Sequence, residues 1–205
     1  MSAVAAQGPN NQQAYLKLVL LGYKNVGKTS IFNRYLYDEF IKTSMTIGAY
    51  FGMKNCVVGG VSHSLAIWDT AGEEKFDSLT SFYCRKARAA LVCYDMTSLE
   101  SFNSLPRWVD KVRNEASPHC AIIIVGNKAD LVADRPGMRQ VDTAEARRYA
   151  HSINAELFEV SARTGAGVEA AVQRVVELAL QADPELGPAR QSLLDQPEKE
   201  KGCSC

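Results

Sequence analysis

The chain predicts a doubly wound α/β domain, with a mostly parallel six-stranded sheet, one antiparallel strand and helices on both faces. Three observations carry that expectation. Apolar, strand-like runs alternate with segments of helical spacing along most of the 205 residues. The pair Gly59-Gly60 joins two extended segments, a tight hairpin signal that accounts for the antiparallel strand. A glycine-rich turn, Gly22 to Thr29, lies between the first strand and the first helix, where a wound α/β sheet places its first functional loop.

Taken in order, Tyr15 to Leu21 is an apolar run broken only by Lys17 and reads as a buried strand. Ser30 to Tyr37 carries Ile31, Phe32, Tyr35 and Leu36 at helical spacing. A polar connection from Asp38 to Met45 leads to extended segments Ile47 to Val58 and Val61 to Asp69. The remainder alternates strand Ala89 to Asp95, helix Ser101 to Glu115, strand Ala121 to Gly126, helix Thr143 to Ser152, strand Glu156 to Val160 and helix Gly167 to Gln181. Ser98 and Thr143 are candidate helix caps, because their hydroxyls can accept from free N–H groups of a first turn.

One domain over residues 15–182 accounts for the length, flanked by a disordered extension over 1–14 and a flexible tail over 183–205. The formal charge is zero and no basic run appears, so nucleic acid is not an expected partner. The first fourteen residues lack the charged and apolar regions of a secretory signal, which predicts a cytoplasmic protein. No apolar stretch approaches the ~20 residues that span a bilayer. Cys56, Cys84, Cys93 and Cys120 lack metal-ligand spacing and read as ordinary buried thiols.

Gly22-Tyr23-Lys24-Asn25-Val26-Gly27-Lys28-Thr29 satisfies the pattern G-x-x-x-x-G-K-[ST]. Backbone N–H groups of such a loop curl around phosphates, so Asn25, Val26, Gly27, Lys28, Thr29 and Ser30 are assigned to a nucleoside triphosphate. Lys28 reaches the β- and γ-phosphates, and the Thr29 hydroxyl is a Mg²⁺ ligand. The following helix adds the positive end of its dipole. Asp69-Thr70-Ala71-Gly72 closes a strand, which makes Asp69 a direct or outer-sphere carboxylate for Mg²⁺ and Gly72 a phosphate-side residue. Asn127-Lys128-Ala129-Asp130 closes another. Asp130 can accept from the ring N–H and exocyclic amine of guanine, a pair adenine lacks, and a site built around such groups rejects the analogue by about 10⁴ or more. Ser161-Ala162-Arg163, after the last strand, can present a backbone N–H to the guanine carbonyl. An ATP-dependent kinase would leave Asn127 to Asp130 unexplained.

Together these residues resemble the Ras superfamily of small GTPases over about residues 15 to 182, and within it the Rab family. Ile47-Gly48-Ala49-Tyr50-Phe51, the run Ala66 to Phe76, and Tyr83-Cys84-Arg85-Lys86-Ala87 are similar to Rab strings beside the switches. The resemblance implies a P-loop small GTPase fold and a Rab-like protein that cycles between GDP and GTP to regulate vesicle trafficking, hydrolysing GTP slowly with help from activating proteins. It also implies that Thr46 ligates Mg²⁺ and touches the γ-phosphate, that Phe40 stacks near the guanine, and that Phe40 to Tyr50 and Gly72 to Tyr83 are the switching segments. Phe51, Trp68 and Tyr83 become a candidate effector surface, with core packing as the competing assignment.

The implied partners are an exchange factor, a GTPase-activating protein, a dissociation inhibitor or escort protein, and effectors. Cys203-Ser204-Cys205 matches the C-x-C ending that takes two prenyl groups in Rab proteins, and so implies peripheral attachment to the cytosolic face of an intracellular membrane. Two lipids matter, because one chain anchors marginally and this tail has no basic excess to help it.

The chain departs from the pattern at three places, and in this it resembles atypical Rab members with altered switch and phosphate-loop residues. Glu73 stands where most relatives carry the catalytic Gln; it can accept from the attacking water but cannot donate to the γ-phosphate, so Lys28 and Glu73 are the catalytic candidates with the rate left open. Lys24 and Asn25 occupy loop positions often held by small residues or Gly. Thr46 follows Thr29 by seventeen positions, one fewer than is usual in Rab proteins. These departures keep a second reading alive, a mostly GTP-loaded, hydrolysis-deficient membrane-recruitment module.

Overall fold

The computed structural model describes residues 15–73 and 77–183. The expected N-terminal extension and the lipidation cysteines Cys203 and Cys205 lie outside the described residues.

Among the described residues six strands form one sheet: β1 (Leu16–Gly22), β2 (Ala49–Val58), β3 (Val61–Thr70), β4 (Ala89–Asp95), β5 (Ala121–Asn127) and β6 (Glu156–Glu159). Their spatial order is β2-β3-β1-β4-β5-β6. Only the β2–β3 ladder is antiparallel, turning at Gly59-Gly60, which both adopt positive φ. The other four ladders are parallel, so β1 and β3 to β6 all point their C-terminal ends the same way.

Seven α-helices accompany them among the described residues: α1 (Lys28–Tyr37), α2 (Asp77–Cys84), α3 (Leu99–Asn103), α4 (Leu105–Glu115), α5 (Ala129–Asp134), α6 (Thr143–Ser152) and α7 (Val168–Ala182). The period of two along β1 divides the core. Leu16, Leu18 and Leu20 face Ile31, Phe32 and Tyr35 of α1 and Val172, Val175 and Val176 of α7. Val19 and Leu21 face the opposite way, toward Phe102, Leu105, Trp108 and Val109 of α3 and α4 and Ala146 and Ala150 of α6. Every residue of β4 is buried, as expected for a central strand covered on both faces. Each large side chain taken out of water in these two layers contributes about 1.5–3 kcal/mol before entropy is counted.

Several boundaries differ from the sequence reading, each for a local reason. Tyr15 is half-exposed and outside β1. β2 starts at Ala49, not Ile47, because Gly48 takes a φ of 84° and its carbonyl accepts from the Ala71 N–H instead. The helix expected over Ser101 to Glu115 is two, broken at Ser104 with Pro106 in the first turn of α4. Ser98 caps α3 by accepting from the Ser101 N–H. For α6 the cap is Asp142, not Thr143: its carboxylate accepts from Ala144 and Glu145 N–H groups at 2.9 and 3.1 Å. The Thr143 hydroxyl instead donates to Glu159. Asp183, assigned to the tail, closes α7 and pairs with Arg88. The thiols of Cys56, Cys84 and Cys93 are buried and unbridged, as expected, and that of Cys120 is partly covered.

Candidate nucleotide site

A cavity of about 720 Å³ opens at the C-terminal ends of the strands. Asn25, Gly27, Lys28, Thr29, Ser30, Phe40, Thr46, Gly72, Glu73, Asn127, Lys128, Asp130, Ala162 and Arg163 all line it. Val26, Asp69 and Ser161 are buried behind that wall.

The loop between β1 and α1 is shaped by close approach. Gly27 has a φ of 93°, and a Cβ there would meet the Asn127 side-chain nitrogen at 2.4 Å. Asn25 also takes a positive φ, of 60°, a conformation asparagine tolerates better than most residues. Lys28 is almost fully buried and donates to the carbonyls of Gly22 and Tyr23 at 2.8 and 2.9 Å. Burial lowers its pKa to about 8, against the opposing pull of Asp69. At Gly72 a Cβ would lie 2.4 Å from Lys28 Nζ and 2.7 Å from the Lys24 nitrogen, so β3 can close on the loop only without a side chain at this position.

Beside the loop, three oxygens converge. The Thr29 hydroxyl donates to Asp69 Oδ2 at 2.7 Å and lies 2.9 Å from the Thr46 hydroxyl. The shortened connection therefore still delivers Thr46, which is buried, to Thr29. Asp69 is completely buried and its Oδ1 has no hydrogen-bond partner among the described residues. Burial raises its pKa to about 6, outweighing the Thr29 hydrogen bond and Lys28. An all-oxygen set with one unpaired buried carboxylate oxygen fits a hard divalent cation such as Mg²⁺.

At the far end, Asn127 bridges two loops, donating to the Val26 carbonyl at 2.9 Å and accepting from the Ala162 N–H at 3.1 Å. Asp130 accepts from the Ser161 hydroxyl at 2.6 Å and faces Arg163 at 3.5 Å. Lys128 takes a positive φ, of 69°, which turns the chain out of β5 into α5, and its ammonium pairs with Asp95 at 2.6 Å.

A family model described as the Ras family matches residues 17–181. The chain belongs to the Ras family. Two relatives, both from Dictyostelium discoideum, place it among Rab-like small GTPases. A putative ras-related protein Rab-5B is 42% identical over 169 residues, covering 82% of this chain and 77% of the relative. A ras-related protein Rab-24 is 41% identical over 162 residues, 79% of each chain. The six-stranded sheet with its single antiparallel pair is the P-loop fold of that family.

In this Rab-like GTPase the three aromatics of the expected effector surface differ in burial, and Trp68 packs against the core layer formed with α3, α4 and α6. Phe51 is 56% exposed and sits opposite Trp68 in the β2–β3 ladder, with ring centroids 4.8 Å apart. Trp68 and Tyr83 are half-buried, and a Cβ on Gly48 would come within 3.7 Å of the Tyr83 hydroxyl, so Tyr83 borders the connection between α1 and β2. Among the described residues no helix is long and apolar enough to cross a membrane.

Sequence reading missed several contributors. Leu131 lines the cavity without a motif to mark it, and Thr43, Ser44, Met45 and Thr70 line it from segments that were named without assigning those side chains a role. Arg34 escaped as well: it lies on α1 and donates from Nε to the Ala162 carbonyl, a partner 128 positions away. No local pattern announces such a contact.

Proposed function

We propose that this Rab-like GTPase cycles between GDP and GTP, and that the GTP state recruits effectors in vesicle trafficking. The observation that carries this reading is the convergence of Lys28, Thr29, Thr46, Asp69, Asn127 and Asp130, from loops far apart in sequence, on one cavity. Asp130 accepts from the guanine edge, while Asn127 holds the base loop to the phosphate loop. Loop N–H groups and Lys28 bind the phosphates, with Lys28 leaving its loop carbonyls for the β- and γ-oxygens. Thr29, Thr46 and Asp69 would hold Mg²⁺, which when bound neutralises charge on those oxygens. Engagement of the γ-phosphate by Thr46 orders the connection from Phe40 to Tyr50 and, through Gly72, the segment to Tyr83.

For hydrolysis, Glu73 lines the cavity beside Gly72, where it accepts from the water that attacks in line. Activating proteins supply the donor that a carboxylate cannot. Two prenyl groups on Cys203 and Cys205 hold the protein on the cytosolic face of an intracellular membrane, and a dissociation inhibitor or escort protein shields them.

Lys24, which lines the same cavity, favours a second reading, a module that stays GTP-loaded and hydrolyses negligibly. Single-turnover hydrolysis with a panel of activating proteins separates the two. Stimulated turnover is expected, whereas tight GTP binding with turnover at the solution rate throughout would establish the module. Replacing both terminal cysteines by Ser should release the protein from membranes in fractionation; a double variant that stays bound rules out the lipid anchor.

A further inference from the structure

Both ends of α1 are tied to the same base-side loop. At its N-terminal end, the Val26 carbonyl accepts from Asn127, which in turn accepts from the Ala162 N–H. At its C-terminal end, Arg34 donates from Nε to the Ala162 carbonyl at 2.9 Å and from Nη2 to the Arg163 carbonyl at 2.8 Å. Its Nη1 donates to the Asp38 carbonyl and carboxylate at 2.7 and 2.6 Å. All three guanidinium nitrogens are thus used, and the side chain is only 14% exposed. The loop's own turn packs against it, since a Cβ on Gly165 would lie 3.4 Å from Arg34 Cδ.

We propose that Arg34 is a positioning residue for base recognition, which sets the 161–163 loop against the guanine from behind and fastens it to Asp38, where the connection to Thr46 begins. The inference rests on the guanine-nucleotide reading above. Its physical basis is the planarity of the peptide unit. In a trans peptide the carbonyl and the following N–H point opposite ways, and the described residues contain no cis bond. Holding the Ala162 and Arg163 carbonyls on the α1 side therefore directs the next N–H groups away from α1; that of Thr164 donates to the Ser161 hydroxyl at 3.1 Å, which leaves the Arg163 N–H for the base. A planar fork can hold two adjacent carbonyls at once; an ammonium cannot reproduce it. Because Arg34 does not line the cavity, it acts on the base only through this loop.

Three diphosphates test the proposal. GDP and inosine diphosphate both present the base carbonyl; 6-thio-GDP keeps the edge read by Asp130 but replaces that oxygen with a poor acceptor. Equilibrium binding is measured on the full chain for wild type, Arg34→Gln, Arg34→Lys and Asp38→Asn, with circular dichroism to establish folding. Arg34→Gln is expected to weaken GDP and inosine diphosphate about thirtyfold and 6-thio-GDP by no more than about threefold. Arg34→Lys should fall between, and serves if the Gln variant does not fold. Asp38→Asn, which leaves both loop contacts in place, should stay within about threefold for all three ligands. Equal losses for the three ligands in the Arg34 variants would overturn the proposal, as would a base-dependent loss in Asp38→Asn. A wild-type protein that binds ADP as well as GDP would remove the guanine reading, and this inference with it.

Discussion

The two ends of the nucleotide cavity are built on opposite terms. At the base end nearly every polar group already has a partner: Asn127 spans two loops, Ser161 holds Asp130, and Lys128 pairs with Asp95. Arg139 braces that end from outside, reaching both Glu159 carboxylate oxygens at 2.8 and 2.9 Å just before the base loop. At the metal end a completely buried carboxylate keeps one oxygen unpaired, and Phe40, Met45 and Ile47 of the connection beside it are more than half exposed. One end is held together by contacts among its own side chains; the other carries a buried carboxylate with an oxygen that no side chain among the described residues satisfies. In the cycle proposed above, specificity falls to the first and switching to the second, because a segment that must reorder is drawn from weakly packed structure.

The largest expected effect is at the base end. Asp130→Ala should reduce the preference for GDP over ADP by about 10³-fold or more, read by competition binding. A preference that survives would mean the base is read elsewhere. At the metal end, Asp69→Asn should act in two directions. With its pKa raised from 3.8 to about 6, Asp69 favours the fold fully below pH 4 and loses that contribution as pH rises through 6. At pH 7.5 the nucleotide-free Asn variant should therefore be more stable than wild type by about 1–3 kcal/mol in denaturant unfolding. The same variant should release GDP about tenfold less sensitively to Mg²⁺ removal. A destabilised nucleotide-free variant would contradict the unpaired-charge account.

The smallest effect tests the brace. The Arg139 hydrogen bonds hold the Glu159 pKa below the usual carboxylate range, so its stabilisation is present at neutral pH and lost as pH falls through the lowered value. Glu159→Gln should cost about 1 kcal/mol at pH 7, with the gap to wild type closing in acid. A gap that does not change with pH would assign the loss to packing alone.

The β-strands and the two ends of the cavity were legible because their signals are local. Several functional residues, Gly72, Lys128, Asp130 and Ser161 among them, follow strands within three positions, and strand periodicity is read directly from Leu16 to Leu21. Helix details were less so. The break at Ser104 lies inside a continuous helical pattern, and Asp142 and Thr143 are adjacent residues equally able to cap. The short helix α5 depends on a lysine at positive φ, which sequence gives no reason to expect. Counting positions made Thr46 look misplaced, yet the distance that matters is through space, and the connection has slack enough to close it to 2.9 Å. Arg34 shows the limit: its role depends on contacts that exist only once the chain has folded.

The chain carries two tryptophans in contrasting settings. Trp108 is wholly buried on the inner face of α4, whereas Trp68 is only partly buried, tilted against Phe51, 4.4 Å from the Lys17 ammonium and adjacent in sequence to Asp69. Ultraviolet emission from this protein therefore has a shielded reference and a reporter in one molecule. Acrylamide should quench the Trp68 component more than that of Trp108, and any change in the Trp68 component on adding nucleotide would report on the β2–β3 face without an attached dye.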